Sequence, residues 1–155
     1  MARWRGKALE LLPEFSKEIQ RLENPYMFWV ELGHEFKRAY DAPINEDIIR
    51  RFYMYADWCW RQRQKDLWNS VAVCFYEHLP DRHAVRQDMP RWLSPDKFRD
   101  LAGLFEWRLG QDEFLELKRY YEANAGMYES NFGRSLKLAR RRAAERPRAG
   151  KQVRK

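Results

Sequence analysis

Apolar residues recur every three or four positions along most of the chain, the spacing that lines them up on one side of an α-helix. Trp29, Leu32, Phe36 and Tyr40 share one such face, opened by Asn24 as a helix cap with Pro25 at the first helical position and closed by Asp41-Ala42-Pro43. Asn45 is the next cap, followed by Glu46 and Asp47, where acids suit the positive end of a helix dipole. Ile48, Phe52, Tyr55 and Cys59 make one stripe of that helix, and Ile49, Tyr53, Ala56 and Trp60 make the stripe beside it. An apolar face this broad predicts a central helix packed on two sides. Asp66 or Asn69 caps the element carrying Leu67, Val71, Cys74 and His78, which reads as a helix although VAVCFY is short enough to suit a strand.

Upstream, Glu10 to Leu22 suits a helix with Pro13 near its start. Pro80 to Leu93 is the longest stretch without periodicity and reads as a connecting loop. Ser94-Pro95-Asp96 then starts a helix with Phe98, Leu101, Phe105 and Leu109 on its buried side and Gly110 just past its end. Phe114, Leu117 and Tyr121 belong to a further helix reaching about Ala123. A last amphipathic run places Phe132, Leu136, Ala139 and Ala143 on one side and arginines on the others, stopped by Pro147. The expected fold is all-α: a single compact bundle of five to six helices over 1–131, with a basic, partly disordered extension over 132–155.

Composition supports a packed body. Of 155 residues, 45% are hydrophobic and 15% aromatic, including seven Trp, too many for a disordered chain. Trp29, Trp58 and Trp60 fit the core, whereas Trp4, Trp68, Trp92 and Trp107 fall less neatly on the apolar stripes. No apolar run is long enough to cross a membrane, and Glu10 and Glu14 interrupt any signal-like segment, so the expected compartment is the cytoplasm. Two cysteines, Cys59 and Cys74, sit in helical patterns as packing residues, with no C-x-x-C pair.

Charge changes the picture at one end only. Residues 132–155 carry ten Lys/Arg against one acid, a net +9 within a chain total of +7, which leaves the body at −2. Arg134, Lys137, Arg140, Arg141, Arg142, Arg146, Arg148 and Lys151 are therefore candidates for phosphate contacts with nucleic acid, sequence-blind and salt-dependent. The same segment also reads as a solvated extension, or as a strip lying on acidic lipid. In the body, WCWRQRQK interleaves Trp58 and Trp60 with Arg61, Arg63 and Lys65, the pattern that base stacking uses.

Candidate chemistry is sparse. Phosphate-binding, dinucleotide-binding, nucleophile-elbow and H-E-x-x-H motifs are all missing. Glu77, His78, His83 and Asp88 form the one cluster of metal-ligand or acid–base type. His78 and His83 are five apart with Pro80 between them, not the three or four that converge on one helix face. The spacing favours a helix end and a polar loop over a site. No cofactor is expected.

LLPEF at 11–15, FYEHLP at 75–80 and RWLSPDKF at 91–98, in that order and followed by an aromatic-rich helix, resemble a domain-of-unknown-function family of small uncharacterised bacterial helical proteins. The likeness spans about residues 9–122 and leaves out the basic extension. It implies an all-α cytoplasmic domain without catalytic residues to carry over. By analogy with families of this size, it suggests an immunity or accessory role. The functional expectation is a non-enzymatic interaction module with a protein partner. Nucleic-acid association through the tail is the alternative, and a small metal-dependent enzyme the second alternative.

Overall fold

The computed structural model describes residues 1–128 and Arg141, and among them every regular element is helical. In chain order these are α1 (Arg3–Leu11), a 3₁₀ turn (Pro13–Phe15), α2 (Ser16–Arg21), α3 (Pro25–Arg38), α4 (Glu46–Trp60) and α5 (Lys65–Cys74). They continue with a second 3₁₀ segment (Tyr76–Asp81), α6 (His83–Trp92), α7 (Pro95–Leu109) and α8 (Gln111–Asn124). Eight α-helices among the described residues exceed the five to six expected, and two local effects account for the difference.

The first is Pro13. It has no N–H to continue a helical ladder and restricts the residue before it. Leu12 accordingly leaves the helical region (φ −132°, ψ 56°), so the single helix expected over Glu10–Leu22 is two helices hinged on a 3₁₀ turn, the first starting at Arg3. The second is α6, which occupies the stretch expected to be a loop. Val85, Met89 and Trp92 are all buried and stand at i, i+4 and i+7, a helical repeat masked by the prolines and charges around it. Pro90 lies inside this helix and is itself buried.

Three caps form as the sequence indicates. Asn24 Oδ1 accepts from Met27 N at 3.0 Å, Asn45 Oδ1 from Ile48 N at 3.1 Å, and Ser94 Oγ from Lys97 N at 3.1 Å. Gly110 ends α7 with φ 81°, a conformation that favours glycine. The cap of α5 differs from expectation. Gln64 holds that position without a side-chain bond, Asp66 lies in the first turn, and Asn69 donates instead to the Tyr26 hydroxyl at 2.8 Å.

Rings dominate the core where α3, α4 and α5 meet. Phe28 lies 4.5 Å from Tyr55 between ring centroids, Trp29 lies 4.8 Å from Phe75, and Phe36 is edge-on to both Phe52 and Phe75. Both stripes of α4 are buried apart from Trp60, which is half-buried, as is Trp58. Trp4 and Trp92, which fall less neatly on the apolar stripes expected from the sequence, are both buried. Trp4 brings α1 onto α4, where its carbonyl accepts from the Tyr55 hydroxyl at 3.2 Å, and Trp92 stacks on Tyr53 at 5.6 Å. Trp68 and Trp107 are exposed.

Phe52, fully buried among Phe15, Phe28 and Phe36, tests this arrangement. Phe52→Ala is expected to cost about 3–5 kcal/mol in urea unfolding. A loss below about 1 kcal/mol would place the main support of the fold elsewhere.

Candidate functional site

The 3₁₀ segment at 76–81 carries the chain from α5 into α6 and leaves an open groove of about 270 Å³ against α3. Its walls are apolar: Trp29 and Phe36 from α3, Phe75 and Leu79 from the α5 exit, and Val85 from α6 are all buried. Gly33 lies on the α3 side, where a Cβ would meet nothing within 4 Å. Trp29 has its indole N–H without a hydrogen-bond partner among the described residues. Val30 continues the apolar surface outward at 56% exposure. The half-buried Cys74 thiol is also in the wall, pushed up from its ordinary pKa by burial and by Glu77. Cys59, buried in the core, is pushed up to about 12 by desolvation. Neither thiol is therefore an activated nucleophile.

Charged groups ring the mouth. Asp81 is clasped by Arg108, whose Nε and Nη2 donate to its two oxygens at 2.8 Å, and His78 Nδ1 stands 3.1 Å from Oδ2. The Arg108 bonds, seconded by His78, hold the Asp81 carboxyl below the usual carboxylate range. Arg82 donates to Asp41 and to the Lys37 carbonyl, both at 2.7 Å. The Lys37 ammonium and the His34 ring, one helical turn apart on α3, make no ion pair or hydrogen bond among the described residues.

The four residues singled out as a metal or acid–base cluster do not converge. His78 is engaged with Asp81, His83 is exposed at the first position of α6, and Glu77 lies on the 3₁₀ segment. Asp88 faces the other way, into a polar hub. Its Oδ2 accepts from the Tyr40 hydroxyl at 2.9 Å and from Trp92 Nε1 at 2.6 Å, and Oδ1 accepts from Arg91 at 3.1 Å. Arg91 also reaches Glu46 at 3.1 Å, so the hub ties the α3–α4 turn to α6. No group of three His, Cys, Asp or Glu side chains able to hold a metal ion occurs among the described residues.

The two rings of the interleaved aromatic and basic stretch are likewise engaged, and Arg61 pairs with Asp57, while Arg63 and Lys65 are exposed. Trp58 stacks on Tyr55 with the Arg3 guanidinium over its ring. Trp60 stands edge-on to Tyr76 beneath the Lys97 ammonium, 5.0 Å from its centroid. Lys97 is largely buried there, its pKa lowered by desolvation and opposed by Asp57 at 3.5 Å. Both rings therefore serve the interior. Of the tail residues proposed for phosphate contact, Arg141 is helical and exposed, and Arg134, Lys137, Arg140, Arg142, Arg146, Arg148 and Lys151 lie outside the described residues.

The groove itself gave little signal in the sequence, because its walls are core residues and its opening depends on how α3, the 76–81 segment and α6 are placed. The chemistry present is that of an apolar cleft with charged groups at its mouth, on an all-helical domain. The chain belongs to the family described as Domain of unknown function (DUF7674), which matches residues 6–107 and so contains every residue that lines the groove, though not Arg108, which clasps Asp81 at its mouth. No curated protein and no solved structure matches it. No helix among the described residues is long and apolar enough to cross a membrane.

Asp88→Ala leaves the Tyr40 hydroxyl and the Trp92 indole N–H without their acceptor and is expected to cost about 1–3 kcal/mol in urea unfolding. Asp88→Asn keeps one oxygen and should cost less; equal loss for both would show that charge, not hydrogen bonding, holds the hub. Acid should weaken the fold as well. Arg51, Arg91 and Arg108 lower the pKa values of Glu14, Glu46 and Asp81 respectively, so the folded state binds fewer protons than the unfolded chain. That stabilisation is complete above about pH 5 and is lost as pH falls through the folded-state values. The urea midpoint should drop between pH 5 and pH 3, and less steeply in Asp81→Asn; a flat profile would remove these pairs as contributors.

Proposed function

We propose that this domain is a non-enzymatic interaction module that holds a partner protein by taking one bulky apolar side chain into the groove between α3, the 76–81 segment and α6. The observation that carries the reading is the groove itself, with Trp29, Phe36, Phe75, Leu79 and Val85 forming an apolar recess that opens beside the exposed Val30. At about 270 Å³ it lies at the lower edge of the roughly 300–1,000 Å³ of pockets that enclose small-molecule ligands. It suits a single large side chain, the kind of anchor that dominates protein–protein contacts. The chain's own +9 extension is a poor occupant, since Lys37 stands uncompensated at the mouth.

A second reading rests on the segregation of charge. Ten basic residues against one acid in 132–155 support salt-dependent contact with nucleic-acid phosphates. Replacing Arg140, Arg141 and Arg142 by Glu in the full chain should then abolish binding to mixed RNA and duplex DNA at low salt. Unchanged binding would end that reading.

For the groove, Gly33→Phe is the discriminating variant, because Gly33 lines the recess and a Cβ there meets nothing within 4 Å, so the ring is expected to fill the recess without displacing the core. Random peptides displayed on phage and selected on the wild-type chain should be enriched in Trp, Phe or Leu. Their binding should fall at least tenfold on Gly33→Phe with the melting temperature preserved. Selected peptides that bind the two proteins alike would sink the groove as the docking site.

A further inference from the structure

The mouth of the groove has a sign, and it follows from which of its charges are already matched. Asp81 is neutralised by the two-point Arg108 clasp with His78 beside it. Arg82 is matched by Asp41 and anchored on the Lys37 carbonyl. Glu77 does not line the groove, and its charge is felt by Cys74 and Arg108. What remains is the Lys37 ammonium, with the His34 ring one turn before it on the same side of α3, and neither has a partner among the described residues.

We propose that the occupant is an acidic segment of another protein, with carboxylates flanking the apolar anchor and meeting Lys37 and His34 while the anchor fills the recess. This rests on the groove reading above and adds to it the charge of the partner. Complementary charge at a rim selects partners and speeds encounter more than it tightens the complex. Lys37 is accordingly a specificity determinant, and the apolar walls supply the affinity. A basic segment, the chain's own extension included, is disfavoured at the same point, since it would bring like charge against Lys37 while Asp81, the carboxylate in the groove lining, is already held by Arg108.

The test uses the full-length chain and fluorescein-labelled nine-residue peptides followed by anisotropy. Three carry a central Trp flanked by Glu, Gln or Lys, and a fourth places Ala for Trp between Glu residues. The Glu-flanked Trp peptide should bind about two- to fivefold more tightly than the Gln-flanked one, the range expected of an exposed charge pair. Its advantage should shrink as salt is raised. Lys37→Glu should remove or invert the preference while leaving the Gln-flanked peptide nearly unchanged, and Gly33→Phe should weaken both. Equal affinity for Glu and Gln flanks, with loss on Gly33→Phe, would overturn the charge assignment and leave the groove standing. Binding of the acidic peptides that survives both Trp removal and Gly33→Phe would trace to attraction elsewhere, the basic extension above all, and overturn both. Absence of binding by every peptide into the millimolar range would do the same.

Discussion

The contact on which the rest of the molecule depends is the meeting of rings between α3, α4 and α5. Phe28, Trp29 and Phe36 descend one side of α3 and interlock with Phe52 and Tyr55 of α4 and with Phe75 at the exit of α5. Rings at 4.5–6 Å in tilted and edge-on arrangements fix orientation as well as burying area. The α5 exit is therefore held at Phe75, and the chain must turn into the 3₁₀ segment from there. The groove opens beside that turn, so its walls inherit the rigidity of the core.

Polar contacts do a different task. The Asp88 hub and the Arg82–Asp41 and Arg108–Asp81 pairs lie around the edge of the ring cluster and join α6 and α7 to elements far away in sequence. Most are partly exposed and contribute little stability one by one. Their effect is to set where α6 lies relative to α3, which decides how wide the groove stands. They also use up nearly all the charge at its mouth and leave Lys37 as the exception.

How much of this was legible in the sequence depends on whether the signal was local. Asn24-Pro25, Asn45 and Ser94-Pro95 announce helix starts by cap chemistry that acts within one turn, and all three start helices. The stripes of α3 and α4 were visible because every third or fourth residue is large and apolar. The α6 helix was obscured because only Val85, Met89 and Trp92 carry its pattern, among charges and beside Pro90. Trp4 and Trp92 were hard to place because the buried faces of α1 and α6 are short and sparse, Trp4 with Ala8 and Trp92 with Val85 and Met89. Asp88 looked like a metal or acid–base ligand by type, but its donors Tyr40 and Trp92 are aromatic, one of them 48 residues away. The groove depends on the relative placement of three elements, which no local pattern encodes.

Gly33 shows what this arrangement asks of the chain. A glycine in mid-helix is roughly 0.5–1 kcal/mol less stabilising than alanine, and here packing does not require it, since a Cβ would meet nothing within 4 Å. Its backbone also needs no unusual angle, for Gly110 is the one described glycine with positive φ. If the groove is a docking site, the position is a point where folding and recognition compete: a Cβ is accepted by the fold, while a larger side chain is expected to fill part of the recess. Variation there should trade thermal robustness against openness, in the way that functional surfaces generally sit below the stability their scaffolds allow.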